Sequence, residues 1–167
     1  TRDDAWARAV APKVIKSCEY LAAWRARNRT DALRDRGYGL IEGKVADPDD
    51  PFHSFMLNGY AYLGLARAAE LLAVVDPAAS SRWRAEADAL RADIRTALAE
   101  SMARSPVVPL SDGTWSRTAP PWTEDRGVMM LHTDGAPVFT HGTMTTRDSL
   151  LGPLYLAFQE VLAPDEP

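Results

Sequence analysis

The sequence has 167 residues, and its 23 acidic and 19 basic side chains give it a net charge of −4. Hydrophobic residues make up 46% of the chain and charged residues 25%, which is typical of a globular domain and excludes wholesale disorder. The acidic balance argues against a nucleic-acid partner, and no apolar run is long enough to span a membrane. The single cysteine, Cys18, excludes an internal disulfide and a CxxC metal site.

A stripe of apolar residues at spacings of four and three predicts a first helix over residues 3–28. Charged side chains fill its other positions and are expected to face water, Arg25 among them. Pro12 is expected to kink or break this helix because it lacks a backbone N–H. The residues of the stripe are Trp6, Val10, Val14, Cys18, Leu21 and Trp24.

A loop from about residue 29 to residue 50 separates this helix from a second one. Asp50 is a suitable N-cap and Pro51 a suitable first helical residue, so a helix is predicted over residues 51–75. This segment is apolar on nearly all sides and contains many small residues. We therefore expect the second helix to be buried on most of its surface.

A third helix is predicted directly after the second. Asp76 and Pro77 repeat the same start signal, so the connection is a tight turn and the third helix, over residues 78–103, runs antiparallel to the second. It carries one apolar stripe, from Trp83 to Met102, between charged positions. It is expected to be an outer, half-exposed helix.

A second long loop, over residues 104–147, shows little helical periodicity. Loops longer than about 15 residues are uncommon in compact domains unless they have a function. A small hairpin is predicted within it, pairing residues 128–131 with residues 138–140. A last, strongly apolar helix is predicted over residues 148–162. The turn signals of this loop are Asp112-Gly113 and Asp134-Gly135.

The predicted fold class is therefore all-α, built of antiparallel helical hairpins in which outer and inner helices alternate. This succession brings both long loops to one face, at the N-terminal ends of the two buried helices. Carboxylates beside exposed aromatic rings are typical of carbohydrate sites, because rings stack on sugars and carboxylates act as general acid and base. The candidate catalytic residues on that face are Glu42, Asp47, Glu124 and Asp125. The candidate substrate-binding residues are Tyr38, His53, Trp115, Trp122, His132 and His141.

Structural roles compete with these chemical ones. Arg126 is a possible ion-pair partner of the adjacent carboxylates, and the two tryptophans of the second loop either stack on sugars or plug that loop onto the helices. His53, in the first turn of a buried helix, is more typically a neutral histidine bonded to a backbone group. His132 and His141 have no recognised zinc spacing, so no metal is expected. No cofactor is expected either, since the sequence has no GxGxxG, P-loop or HExxH motif.

Four phrases of the sequence resemble the six-hairpin glycosidases, whose fold is the (α/α)6 toroid. The resemblance implies a glycoside hydrolase that binds a poly- or oligosaccharide in a funnel lined by loops at one end of the toroid. A full toroid has twelve helices, so residues 1–167 are expected to form a partial domain whose partners are the remaining hairpins of a longer parent chain. The matching phrases are YGLIEG at 38–43, NGYAYLGL at 58–65, VPLSDGTW at 108–115 and LGPLYL at 151–156.

Two alternatives to a hydrolase stay open. One is a helical-repeat binding module without chemistry, which grips a glycan or a protein partner. The other is a toroid that has kept sugar binding and lost catalysis. In the partial-domain interpretation, Leu154, Leu156 and Phe158 expose apolar surface that needs neighbours, so the chain expressed alone is expected to aggregate or to be molten.

Overall fold

The computed structural model describes residues 3–43, 52–105, 107–124 and 152–163. Within these ranges the chain is mostly helical, which confirms the all-α class. The helices are α1 (Asp4–Arg27), α2 (Phe55–Leu72), α3 (Pro77–Arg104) and α4 (Pro153–Phe158), with one 3-10 turn at Asp31–Leu33. Strands β1 (Val107–Pro109) and β2 (Trp115–Arg117) pair antiparallel. Among the described helices, none combines the length and the apolar character that crossing a bilayer requires.

Helix α1 begins and ends close to the predicted residues. The Asp3 carboxylate caps it by accepting a 2.9 Å hydrogen bond from the backbone N–H of Trp6. The helix runs without a break through Pro12, so the predicted alternative of a break is wrong. Pro12 lies on the exposed side of the helix. Water can therefore bind the carbonyl of the preceding turn, to which Pro12 has no N–H to donate.

Helices α2 and α3 follow each other through a tight turn, as the sequence predicts, and they pack together. The Asp76 carboxylate caps α3 at 3.0 Å from the N–H of Ala79, and the Ser80 hydroxyl donates to the carbonyl of Ala69 at 2.7 Å across the turn. Helix α2 is buried along most of its length, and α3 buries one stripe that begins at Trp83. Helix α1 contacts both, and α4 contacts α2.

Helix α2 begins later than the sequence predicts. Its N-cap is Ser54, and Asp50 and Pro51 lie outside the described residues. The predicted start at Pro51 is wrong because Ser54 is extended and pairs with Trp122 in an antiparallel bridge. The N–H of Phe55 donates to the carbonyl of Pro121 at 3.0 Å, so a tertiary contact occupies the place where the local start signal predicted a helical turn.

Helix α4 ends sooner than predicted, at Phe158 rather than at residue 162. Glu160 has a left-handed backbone with φ of 62°, which stops the helix, and the N–H of Val161 turns back to the carbonyl of Leu156 at 2.9 Å. Leu156 is fully buried, so the expectation that it is exposed is wrong. Phe158 is 70% exposed, in agreement with that expectation.

Close packing of α4 on α2 depends on Gly59. A Cβ atom at this position would overlap the side-chain oxygen of Gln159 and lie 3.1 Å from Cδ2 of Leu156. Gln159 is itself buried and donates from Nε2 to the carbonyl of Met56 at 3.0 Å. The absent side chain therefore lets the two helices approach closely.

The hairpin of β1 and β2 lies in the second long loop, at a place where no strands were predicted. Its turn uses the predicted signal Asp112-Gly113: the Asp112 carboxylate accepts from the N–H of Thr114 at 2.9 Å, and Gly113 has φ of 84°. The hairpin predicted over residues 128–131 and 138–140 lies outside the described residues.

Candidate functional site

The two long loops meet at the N-terminal end of α2, as the predicted arrangement of helices requires. The N–H of Thr123 donates to the carbonyl of His53 at 3.3 Å, and its hydroxyl donates to the carbonyl of Arg36 at 3.0 Å. The start of α4 is close by, since a Cβ on Gly152 would lie 2.5 Å from the carbonyl oxygen of Pro120. Segments far apart in sequence thus share one face.

His53 lies at the centre of this meeting point. Its Nδ1 is hydrogen-bonded to the Glu124 carboxylate, and its backbone N–H donates to the same carboxylate at 3.2 and 3.3 Å. The predicted backbone partner for the ring is thus replaced by a carboxylate. The Nε2 atom is buried and has no hydrogen-bond partner among the described residues.

Gly37 allows the first loop to pack directly on the His53 ring. It has a left-handed backbone with φ of 106°, and a Cβ there would lie 3.0 Å from Cγ of His53 and 3.1 Å from Oγ1 of Thr123. Any side chain at this position would be strained and would press on the ring. The ring is therefore held between the two loops.

Glu42 is the second carboxylate of the site. It accepts a hydrogen bond from Nδ2 of Asn28 and is partly buried. Burial raises the pKa of the Glu42 carboxyl, but the hydrogen bond from Asn28 and the proximity of His53 contribute to an opposite effect that is larger. The net pKa lies below the ordinary value of 4.5, so Glu42 is ionised at neutral pH.

Two asparagines that the sequence analysis did not select hold the backbone around Glu42. Asn58 is fully buried; its Oδ1 accepts from the N–H of Ile41 at 2.8 Å and its Nδ2 donates to the carbonyl of Ile41 at 2.9 Å. Asn28 donates to the carbonyl of Leu40 at 2.7 Å. A polar residue inside the otherwise apolar run FMLNGYAY was the available sign that Asn58 has a specific partner.

The aromatic candidates are distributed over three environments. Trp122 stacks on Phe52, with ring centroids 4.8 Å apart and planes 9° apart, which fits the interpretation as a plug. Trp115 is 68% exposed on β2. The ring of Tyr38 lies under the guanidinium of Arg34, 4.9 Å from its centroid, and borders a cavity of about 180 Å³. The residues lining that cavity are Arg34, Asp35, Tyr38, Asp93, Thr96, Ala97 and Glu100.

A buried arginine anchors the first loop beneath the site, contrary to the expectation that Arg25 faces water. Arg25 is fully buried and is paired with Glu86 and with Asp93 of α3. Its Nε donates to the carbonyl of Gly39 at 2.8 Å. Arg25 therefore joins α1, the first loop and α3 at a point two residues before Ile41.

Four of the predicted site residues, Asp47, Asp125, His132 and His141, lie outside the described residues. The described part of the chain holds no group of three or more histidine, cysteine or acidic side chains arranged for a metal ion. Of the ten candidates, the structure brings Glu42, His53, Glu124 and Trp122 to the N-terminal end of α2.

Comparison with protein-family models, with curated proteins and with solved structures finds no match for this chain. Its function is therefore inferred from the residues of the site.

Proposed function

We propose that this chain carries part of the active site of a glycoside hydrolase, with Glu42 and Glu124 as its two working carboxylates. The observation that supports this proposal is that two separate loops bring both carboxylates to the N-terminal end of a buried helix: Glu124 is hydrogen-bonded to His53, and the N–H of Gly43, next to Glu42, donates to the carbonyl of Phe52, next to His53, at 3.0 Å. Paired carboxylates are the usual means of cleaving a glycosidic bond. The substrate class is a poly- or oligosaccharide.

The two carboxylates differ in their surroundings, which suggests different roles. Glu42 has a lowered pKa and is ionised at neutral pH, as a base that activates water needs to be. Glu124 is about one-third exposed and shares a hydrogen bond with Nδ1 of His53. We assign to Glu124, which His53 orients, the contact with the leaving oxygen of the sugar.

The proposal extends to the architecture. The α2–α3 hairpin, with a buried and a half-exposed helix, is compatible with one hairpin of an (α/α) toroid in which residues 1–167 are a partial domain. The exposed Tyr60 and Phe158 then mark surface that further hairpins of a longer chain would cover.

A non-catalytic binding module is the second candidate. It is favoured by the fact that both carboxylates already bind protein donors, Glu42 through Asn28 and Glu124 through His53. Carboxylates used in this way can hold two loops together without performing any chemistry. In that case the glycan, or a protein partner, binds to the loop face and is released unchanged.

The test is to measure the release of reducing ends from a panel of polysaccharides by the full-length protein and by its Glu42→Gln and Glu124→Gln variants. We expect each variant to lose at least about a hundredfold in turnover, because general acid–base groups contribute on this scale. Glu70→Gln, an exposed carboxylate on α2, is the matched control and should keep full activity. Unchanged turnover in both site variants overturns the proposal, and binding without cleavage by the unmodified protein supports the binding module.

A further inference from the structure

We propose that Asn58 and Asn28 are the positioning residues of Glu42, the first by fixing the backbone that carries it and the second by holding its carboxylate. The inference rests on the proposed function for the role of Glu42 itself. It concerns two residues on different helices: Asn28 is the C-cap of α1, and Asn58 lies in the first turns of α2.

The buried amide of Asn58 is fully used by backbone groups. Its Oδ1 and one Nδ2 hydrogen pair with the N–H and the carbonyl of Ile41, as a neighbouring strand would, and its Nδ2 also donates to the carbonyl of Ser54 at 2.8 Å. A leucine or an alanine would suffice to fill this position of an apolar helix. The amide adds a fixed orientation for the residue that precedes Glu42, because both backbone groups of Ile41 are held at once.

Asn28 acts on the side chain of Glu42 rather than on its backbone. Its Nδ2 donates to the carbonyl of Leu40 at 2.7 Å and also to Oε2 of Glu42. A hydrogen bond to a carboxylate is stronger than one between neutral groups and stabilises the ionised form. Asn28 therefore holds the carboxylate in place and favours its ionised form.

The backbone from Gly39 to Glu42, which the two asparagines bind, has little freedom to move. Leu40 and Ile41 are almost completely buried, and Arg25 binds the carbonyl of Gly39 just before them. Glu42 is the first residue of this segment to reach the partly exposed surface. Its carboxylate is thus presented from a rigid base, as a group that has to align with a substrate requires.

The first experiment is a carbon-detected NMR titration of the Glu42 carboxyl, which needs no substrate. We expect its pKa to rise in Asn28→Ala, where burial persists but the donor is lost, and to rise further in Asn28→Asp, where a like charge is added. Glu70, whose pKa is lowered mainly by Arg67, is the internal reference and should not move. A Glu42 titration that is the same in all three proteins overturns the role of Asn28.

The second experiment measures amide hydrogen exchange at Ile41. We expect exchange to speed up by roughly tenfold or more in Asn58→Ala, because this variant removes the acceptor of the Ile41 N–H. The amide of Ile94 in the core of α3 is the control for global unfolding. If Asn58→Ala does not fold, the unmodified protein decides the matter, since a rapidly exchanging Ile41 amide in it overturns the role of Asn58.

Activity data separate this inference from the proposed function. If Glu42→Gln abolishes cleavage, Asn28→Ala should move the acidic limb of the pH profile of kcat/KM to higher pH, which a purely structural role would not do. If Glu42→Gln keeps full activity but the titration still responds to Asn28, the proposed function fails and Asn28 holds a carboxylate without catalytic duty. If Glu42→Gln is inactive and neither NMR experiment responds, the positioning role alone fails.

Discussion

Nη2 of Arg25 lies 2.6 Å from Oδ2 of Asp93, and the backbone at Gly39 closes over this pair. A Cβ atom on Gly39, which has φ of 72°, would lie 2.5 Å from the same carboxylate oxygen. Burial lowers the pKa of Arg25 and raises the pKa of Asp93, although each partner opposes the shift of the other. The ion pair is therefore desolvated, and its contact with the backbone at Gly39 fixes the path of the first loop.

Removing one member of this buried cluster should be costly. We expect Arg25→Ala to lower the free energy of unfolding by about 3–5 kcal/mol, because Asp93 and Glu86 lose their buried cation and keep only the partly exposed Arg29, whose Nη2 lies 3.8 Å from Glu86 and 3.9 Å from Asp93. Urea unfolding followed by circular dichroism measures the effect. Lys16→Ala, at an exposed position of the same helix, is the control and should change stability by no more than about 0.5 kcal/mol. A small effect of Arg25→Ala would show that Arg29 or water is enough to compensate the two acids.

The behaviour of Arg25 also shows where the sequence was insufficient. The apolar stripe of α1 and the Asp76-Pro77 start of α3 could be read from local signals, because periodicity and caps depend on residues a few positions apart. From the sequence alone, an arginine near the end of a charged helix cannot be distinguished from a solvated one. Its burial depends on Asp93, 68 residues further along the chain, and on the path of the backbone at Gly39.

Two glycines of α2 provide a matched test of the α2–α4 contact. We expect Gly59→Ala to lower the free energy of unfolding by about 1–3 kcal/mol, since the new methyl group displaces Gln159 and presses on Leu156. Gly64→Ala meets nothing within 4 Å and should raise it by about 0.5–1 kcal/mol, because alanine is the better helix former. Thermal unfolding of both variants measures the two changes in stability. Equal effects would mean that α4 does not pack on Gly59.

Glu42 makes stability depend on pH. Its folded-state pKa is below 4.5, so the stabilisation from its ionised form is fully present above the unfolded-state value and is lost as the pH falls through the folded-state value. We expect the difference in unfolding free energy between the unmodified protein and Glu42→Gln to be constant near neutral pH and to shrink on acidification. Urea unfolding between about pH 3 and pH 7 measures it. The same series in Asn28→Ala should show a weaker pH dependence, and an identical one would contradict the assigned cause.

Serine substitutions at two apolar residues of α4 should have different effects, because one side chain is exposed and the other is buried. Phe158→Ser removes a 70% exposed ring and should reduce self-association, as measured by light scattering, while the fold is kept. Leu156→Ser introduces a hydroxyl into a fully buried position and should destabilise the fold. Undiminished self-association in Phe158→Ser would show that a different surface is responsible for it.

The candidate site could be predicted in part. The loop face and the residues Glu42, His53 and Glu124 followed from the order of long loops and buried helices. The pairing of His53 with Glu124 could not, because it depends on two loops whose paths no periodic pattern describes. For Trp122, the sequence left open whether the ring stacks on a sugar or packs the loop onto the helices. Its stacking on Phe52 in the structure favours the packing role.

The short turn between α2 and α3 has a consequence for the order of folding. These helices are neighbours in sequence and can meet after closing a loop of only a few residues, whereas the site joins Thr123 to Arg36 across 87 positions. We therefore expect the α2–α3 hairpin to form early and the loop face to assemble last. By the same reasoning the loop face should open first under mild denaturant, before the helices melt.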